Sequence, residues 1–273
     1  MHRHKIHGPA VASVIAVILT TAPAWGADIN FTVQPIIDRA ATQKAFQPLA
    51  DYIAKSTGKS VEFKTSYDYA DYWLAMKGGK AYNLILDAPF YTDWRVKNQG
   101  YIPLVKVPGM VSNSLIALSS AGIFDAGDLV GKRIASLIPP APGGLLLARM
   151  FPIATRQPYI IPVRSSERAL ELLLLGKADA AMVPTPLVAQ AMSQGKEIST
   201  VATSIQTPHI ALSAAPSVDA ATRDKIKQAL LNADKTPAGQ AMLKHIGFDG
   251  FEATTAEVYN GYAKYLELDW GAQ

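Results

Sequence analysis

Hydroxyl groups and backbone donors that could bind a small ligand follow predicted strands in the second half of the chain. Ser136, Ser165 and Thr185 stand where three of these strands end, and each hydroxyl can donate or accept a hydrogen bond. Such residues are also common N-caps, so each serves either the ligand or the helix that follows. Gly143 and Gly144 add backbone N–H groups at the start of another helix. This set indicates non-covalent recognition of a small molecule.

The first half of the chain adds a carboxylate and aromatic side chains. Tyr67 stands in the turn after a predicted strand, where its side chain can contact a ligand. Asp87 follows the next strand. It can hold a cationic or hydroxylated ligand group, cap the helix that opens at Pro89, or do both. Tyr91 and Phe90 occupy the first turn of that helix, and we expect one of the two to face the ligand.

His209 is the last candidate, because it stands in a loop where the chain is predicted to cross back between its two halves. Its ring either reaches the ligand or is structural. Tyr69 and Tyr72 fall inside a predicted helix and are expected to pack. His209 and His245 are far apart and the chain has no cysteine, so we predict no metal site and no cofactor.

No catalytic pattern accompanies these residues. The sequence contains no Gly-x-Ser-x-Gly motif, no paired catalytic histidine and no glycine-rich phosphate loop. An enzyme therefore remains only a competing hypothesis, which would need a catalytic pair and the turnover of a substrate. We predict a binding protein that leaves its ligand unchanged.

The elements that position these residues occur twice. Residues 79–91 (GKAYNLILDAPFY) and 176–188 (GKADAAMVPTPLV) both read as a strand, a turn and a helix. The preceding strands at 61–65 and 159–163 are each followed by a polar turn and another helix. In open α/β sheets ligands bind beyond the carboxyl ends of the strands. The turns after these four strands are therefore predicted to meet at one cleft.

The order of elements predicts an α/β fold with two Rossmann-like lobes, each with a mainly parallel central sheet. The first lobe is predicted to comprise residues 27–109 and 208–273, and the second residues 110–207, with hinge strands between them. The C-terminal part is predicted to be helical and to pack on the first lobe. One helix is predicted to begin at Asp219, a second at Thr236 and a last one to cover 255–266.

Residues 1–26 have the pattern of a cleavable secretory signal peptide. Arg3 and Lys5 precede an apolar run at 11–19, which is too short to span a membrane, and a small-x-small site ends the segment. Without it the chain is nearly neutral and has no basic block, which disfavours nucleic-acid binding. The absence of cysteine also excludes a lipid-anchored cysteine. A freely diffusing periplasmic protein without a membrane span fits these features.

Five segments of the chain resemble the phosphate/phosphonate-binding branch of periplasmic solute-binding proteins. They are residues 46–58 (FQPLADYIAKSTG), 67–70, 86–91, 128–136 and 175–180. The resemblance implies a type II periplasmic binding fold, whose lobes close on a small ligand and deliver it to the membrane permease of an ABC transporter. It also implies ligand contacts at Tyr67, Asp87, Tyr91 and residues 139–144.

The segment 138–144 (IPPAPGG) departs from the family pattern, because relatives that bind an oxyanion usually have a turn rich in serine and threonine there. Proline donates no N–H group, and alanine and glycine carry no hydroxyl. An uncharged or partly apolar ligand is therefore an alternative to a phosphonate. The alternative function is a sensory or accessory subunit that docks on a histidine kinase or a redox enzyme. In either role the protein is expected to be a monomer.

Overall fold

The computed structural model describes Met1 and residues 27–266. The predicted signal peptide therefore lies outside the described residues, Met1 excepted. The described chain contains two main sheets and a short ribbon between them. The strands are β1 Ile29–Val33, β2 Val61–Lys64, β3 Leu84–Asp87, β4 Ile102–Lys106, β5 Met110–Val111, β6 Asn113–Leu118, β7 Arg133–Ser136, β8 Tyr159–Pro162, β9 Ala180–Pro184, β10 Ile198–Thr203, β11 Thr207–Pro208, β12 Ala211–Ala214 and β13 Glu252–Ala253.

The α-helices cross over between strands of the same sheet or cover its faces. They are α1 Arg39–Thr57, α2 Tyr69–Lys77, α3 Pro89–Gln99, α4 Pro142–Met150, α5 Ser166–Leu174, α6 Thr185–Ser193, α7 Ala220–Leu231 and α8 Pro237–Ile246. Local sequence sets their ends. For example, the Asp38 carboxylate accepts a hydrogen bond from the N–H of Ala41 at 3.0 Å, and α1 ends at Gly58 with a left-handed φ of 72°.

The two main sheets share one topology, which confirms the predicted duplication. The first sheet has the order β13-β4-β12-β3-β1-β2, and the second has the order β10-β6-β9-β7-β8. In each sheet three neighbouring parallel strands, β2-β1-β3 or β8-β7-β9, are followed by one antiparallel strand and then by another strand in the parallel direction. The fold is therefore two similar α/β lobes with mainly parallel sheets.

The chain passes between the lobes twice at one place. β5 leads out of the first sheet and β11 leads back, and the two strands pair antiparallel as a short ribbon. The antiparallel strand of each sheet, β6 or β12, follows directly after one of these passages. The ribbon is therefore the covalent connection about which the lobes can rotate.

One apolar cluster crosses from lobe to lobe. Tyr91 and Tyr101 of the first lobe belong to the same buried cluster as Leu115, Leu145 and Met182 of the second. A separate cluster fills the other side of the first sheet, and a third fills the far side of the second sheet. The lobes therefore touch through a packed apolar contact in this structure.

The C-terminal prediction is partly wrong. Helices α7 and α8 begin after the capping residues Asp219 and Thr236, as the sequence indicates. Residues 255–266, however, form two short 3-10 turns rather than an α-helix. Their aromatic residues pack on α3, where the rings of Phe90 and Tyr265 lie 5.2 Å apart. The guanidinium of Arg149 in α4 also lies 4.1 Å from the Tyr265 ring, so this segment contacts both lobes.

Candidate ligand-binding cavity

A cavity of about 380 Å³ lies between the lobes at the carboxyl ends of parallel strands. Its walls come from the turns after β1 and β2 in the first lobe and after β7 and β8 in the second. The lining residues are 67–70, 137–141, 162–164 and, from 35–39, all except Ile36. The predicted cleft is therefore present. Of the four turns named in advance, those after β2 and β8 line it, whereas those after β3 and β9 do not.

Each of the four turns leads into the N-terminus of a helix. Asp38, Asp68 and Ala141 are the N-caps of α1, α2 and α4, and all three line the cavity. Arg164 lines it one residue before Ser165, the N-cap of α5. A helix N-terminus carries about half a positive charge. Four such ends around one cavity favour an anion there, and the carboxylates of Asp38 and Asp68 offset part of this effect at two of them.

Tyr67 lies where the sequence predicts, in the cavity wall. Its side chain is 55% exposed. Arg164 of the second lobe donates a hydrogen bond to the Tyr67 hydroxyl, and the guanidinium lies 4.8 Å from the centre of the tyrosine ring. Tyr67 therefore offers its ring to the cavity and at the same time bridges the two lobes.

Tyr69 also lines the cavity, although the sequence indicated packing only. The residue is 8% exposed, and its ring lies 6.4 Å from that of Tyr91 in a stacked arrangement. Burial raises the pKa of the Tyr69 hydroxyl, and the negative charge of Asp87 raises it further. The hydroxyl therefore stays protonated. Helical periodicity does not show that the first residue of α2 faces the cleft.

Arg39 and Arg164 are the two basic residues of the cavity wall, and sequence reasoning missed both. Arg39 is the first residue of α1, and Arg164 directly precedes the N-cap of α5. Neither forms an ion pair with a carboxylate of the described chain. Their position in the sequence could have identified them. A cation at a helix N-terminus opposes the helix dipole, so its presence there calls for another explanation.

Asp87 does not line the cavity, and its carboxylate is fully buried. Arg95 forms an ion pair with it, and the hydroxyl groups of Tyr72 and Thr92 donate further hydrogen bonds to its two oxygens. The predicted cap is wrong, because Ala88 is the N-cap of α3 and no side chain caps that helix. These partners saturate the carboxylate, so the geometry argues against the predicted ligand contact.

Tyr91 is fully buried and also stands outside the cavity wall. Its hydroxyl donates a hydrogen bond to the carbonyl oxygen of Pro140 in the second lobe at 2.5 Å. Burial raises the pKa of this hydroxyl, so it remains a donor. Tyr91 contacts the loop after β7 rather than the cavity, and the prediction of a direct ligand contact gains no support from this placement.

The predicted donors after β7 lie behind the cavity wall. Ser136 is buried and its hydroxyl donates to the carbonyl oxygen of Leu137 at 2.7 Å. Gly143 and Gly144 are buried in the first turn of α4. A Cβ atom on Gly144 would come within 2.5 Å of backbone atoms of Ile138 and Pro139. These glycines therefore allow α4 to pack against the cavity loop, whereas the predicted ligand contacts are not seen here.

The remaining predicted residues also have other partners. Ser165 caps α5, since its hydroxyl accepts the N–H of Arg168 at 3.2 Å. The Thr185 hydroxyl shares hydrogen bonds with those of Ser112 at 2.8 Å and Ser114 at 2.9 Å. None of these lines the cavity. The N-cap alternative, stated for both in advance, holds for Ser165 and is wrong for Thr185, because Pro184 is the N-cap of α6 and no side chain caps that helix.

His209 lies beside the interlobe ribbon and not in the cavity. Its Nδ1 accepts the N–H of Ile210 at 2.8 Å, and its ring packs edge-on against Phe248 at 6.2 Å. Burial lowers the pKa of His209, and the charge of Lys106 lowers it further. The ring is therefore a neutral structural element of the crossing.

Within residues 27–266, no group of three or more histidine or acidic side chains could hold a metal ion. No helix in these residues is long and apolar enough to cross a membrane.

Two lobes of duplicated topology, a two-stranded connection and a cavity between the strand ends define a type II periplasmic binding protein. The family model for the periplasmic phosphonate substrate-binding proteins of ABC transporters matches residues 31–259. The chain therefore belongs to this family, whose members are periplasmic solute-binding proteins that serve ABC transporters. A comparison with curated protein sequences gave no match.

Solved structures share the fold at low sequence identity. PhnD1 from Prochlorococcus marinus in complex with methylphosphonate has a TM-score of 0.73 at 11% identity, with 87% of this chain and 96% of that chain covered. XAC2383 from Xanthomonas citri bound to ATP has a TM-score of 0.69 at 12% identity, covering 88% and 96%. A binding protein component of an ABC phosphonate transporter from Pseudomonas aeruginosa has a TM-score of 0.69 at 13% identity, covering 85% and 82%.

Proposed function

We propose that this solute-binding protein captures an organic anion of the phosphonate class in the cavity between its lobes. The observation that carries the proposal is the convergence of four helix N-termini on that cavity. Helix dipoles fixed in this way favour a negatively charged group without any change in protonation. Family membership supports the same ligand class. No chemistry is required, and we propose that the protein is not an enzyme.

We further propose that ligand binding stabilises closure about the ribbon of β5 and β11. The lobes then divide at 109/110 and at 207/208, so that residues 27–109 and 208–273 move against residues 110–207. A ligand that contacts both lobes binds the closed state more tightly than the open one and therefore shifts the population toward it. A membrane permease reads the closed state.

The sequence also supports a proposal about export, cellular location and oligomeric state. We propose that residues 1–26 are cleaved on export, that the protein carries no lipid anchor, and that it acts as a monomer in the periplasm. The alternative role, a sensory or accessory subunit for a histidine kinase or redox enzyme, receives no support from the comparisons. Genes for a permease and an ATPase beside this gene would support uptake, and a kinase or dehydrogenase gene would support the alternative.

Thermal-shift titration tests the ligand class. The full chain is expressed in a bacterial host and the protein is purified from the periplasm. It is then heated with phosphate, methylphosphonate, phenylphosphonate, sulfate or an uncharged sugar. A ligand at a hundred times its dissociation constant stabilises the native state by about 2.7 kcal/mol. We expect a rise in the melting temperature with at least one phosphonate and none with the sugar. Stabilisation by the sugar alone would contradict the proposal that the ligand is an anion.

A further inference from the structure

The two cavity arginines stand where a cation is unfavourable for the fold. Arg39 occupies the first position of α1, and Arg164 precedes the N-cap of α5 by one residue. A cation near a helix N-terminus opposes the helix dipole. Residues that break such a local rule are expected at functional positions. Both side chains are exposed and border the cavity.

The acidic residues nearby do not form ion pairs with these arginines. Asp38 and Asp68 also line the cavity, but each directs one carboxylate oxygen to a helix N–H group, that of Ala41 at 3.0 Å or of Asp71 at 2.9 Å. No ion pair joins either carboxylate to an arginine in the described part of the chain. Neither guanidinium is neutralised by a carboxylate, although Arg164 donates one N–H group to the Tyr67 hydroxyl. Guanidinium groups can bind an acidic ligand in a bidentate manner.

The start of α4 is a poorer site for the same acidic group. Pro142 at its first position has no N–H group, and the following glycines are buried. No hydroxyl group replaces these donors in residues 137–144. The arginines that are exposed and form no ion pair in the described chain lie instead at the turns after β1 and β8. The acidic group is therefore expected at the arginines.

The rest of the cavity wall is apolar and leaves room for more than the acidic group. Ile37 of the first lobe faces a second-lobe wall that includes Ile138, Pro139, Pro140 and Val163. A volume of about 380 Å³ corresponds to roughly a dozen water molecules. It falls within the range of pockets that enclose drug-sized ligands. Methylphosphonate, with a single methyl group, would leave most of this apolar surface in contact with water.

We propose that Arg39 and Arg164 bind the acidic group of a ligand whose body is an apolar ring. The ring packs against Ile37, the prolines of the loop after β7 and the face of Tyr67. An arylphosphonate has this chemistry, and phosphate and methylphosphonate lack the ring. This inference rests on the proposed function, since it specifies the ligand of the same cavity.

Isothermal titration calorimetry with four probes tests the inference on the periplasmically purified protein. The probes are phosphate, methylphosphonate, 2-aminoethylphosphonate and phenylphosphonate. We expect phenylphosphonate to bind about tenfold or more tightly than methylphosphonate, because the ring buries apolar surface. The ammonium group of 2-aminoethylphosphonate tests whether Asp38 and Asp68 instead select a zwitterion.

Substitutions then test the arginines. Arg39→Gln and Arg164→Gln should each weaken phenylphosphonate binding by about tenfold or more, because a charge-assisted hydrogen bond is lost. Arg168→Gln is the matched control, since Arg168 is exposed, pairs with Glu171 and does not line the cavity. Its affinity should equal that of the unsubstituted protein. Unchanged melting temperatures of the ligand-free variants show that the fold is intact.

The outcomes separate the two proposals. Equal or tighter binding of methylphosphonate or 2-aminoethylphosphonate overturns the ring-bearing ligand and leaves the phosphonate-binding function standing. Tight binding of phenylphosphonate that survives both arginine substitutions overturns the assigned residues. If none of the four probes binds, both this inference and the proposed ligand class are rejected.

Discussion

Arg164 and Tyr67 join the two lobes at the cavity wall. The arginine follows β8 and donates to the hydroxyl of the tyrosine, which follows β2, and its guanidinium lies 4.8 Å from the ring centre. The hydrogen bond from Tyr91 to Pro140 is a second contact between the lobes. The arrangement of the lobes in this structure is thus held in part by contacts within the protein. A ligand that binds Arg164 competes with Tyr67 for the same guanidinium.

Removal of the Tyr67 side chain should shift the ligand-free protein toward an open state. Tyr67→Ala loses both the hydrogen bond and the cation–π contact, which is typically worth about 0.5–1 kcal/mol at an exposed site. Tyr67→Phe keeps the ring and should give a smaller shift. Small-angle X-ray scattering should report a larger radius of gyration for the alanine variant. Tyr159→Ala, at an exposed tyrosine of β8, is the control. Identical scattering from all variants would contradict this role.

Asp87→Asn should destabilise the protein without altering the cavity. The Asp87–Arg95 pair is fully buried. Burial alone would lower the pKa of Arg95, and the carboxylate more than offsets this effect. Loss of one partner leaves a buried charge unpaired, which costs about 3–5 kcal/mol. Urea unfolding should show this loss, whereas Glu171→Gln in an exposed pair should cost at most about 1 kcal/mol.

Ligand affinity separates this structural role from the contact predicted by sequence. Folded Asp87→Asn protein should bind its ligand with unchanged affinity, because the side chain lies outside the cavity. A stable variant with weakened binding would restore Asp87 to the ligand site.

The sequence predicted the fold because the fold depends on features that repeat. The segments 79–91 and 176–188 share one pattern, and the structure places β3 and β9 at equivalent positions of two sheets. Capping residues such as Asp219 also marked helix starts correctly. The last segment differed because apolar spacing at 255–266 is satisfied equally by 3-10 turns that pack on α3.

The candidate site was predicted less well, because chain position does not show which way a side chain points. Tyr67 lies exposed in the cavity wall, which is compatible with its prediction as a ligand contact. Asp87 ends a strand that is buried along its whole length, so its carboxylate turned inward to Arg95. That pairing joins residues eight positions apart and cannot be seen from either residue alone. Arg39 was overlooked because basic residues at helix starts are usually read as solvent-exposed.

Gly144→Ala should destabilise the protein, whereas Gly143→Ala should not. A Cβ atom on Gly144 would lie 2.5 Å from backbone atoms of Ile138 and Pro139, which cannot move aside as a flexible side chain would. Its counterpart on Gly143 would meet only the Asn113 amide oxygen, at 3.5 Å. We expect a cost of about 1–3 kcal/mol for the first variant by urea unfolding.

The loop after β7 links this stability effect to binding. Because Ile138 and Pro139 line the cavity, displacement of the loop by Gly144→Ala should also weaken ligand affinity. Gly143→Ala should leave both quantities unchanged. Equal stability of the two variants would show that α4 does not pack closely on this loop in solution.

Acid should destabilise the protein through His209. Its pKa in the folded state is lowered from the ordinary value, first by burial and then by the charge of Lys106. Below about pH 6.5 His209 therefore binds a proton in the unfolded chain but not in the folded protein. The stability contribution of the neutral ring is full above that pH. It is lost as the pH falls from there toward the lowered pKa, and it then levels off.

His209→Asn should remove this part of the pH dependence. Asparagine can place its amide oxygen where Nδ1 accepts the Ile210 N–H, and it does not titrate. Urea unfolding of both proteins between about pH 7.5 and pH 5.5 measures the difference. Glu252 lies beside Lys106 in both proteins, so the titration of that carboxylate cancels in the comparison. The free energy of unfolding should fall more steeply with acid for the unsubstituted protein. Parallel curves would show that His209 keeps its ordinary pKa in the folded state, and the ring would then be open to water at the crossing between the lobes.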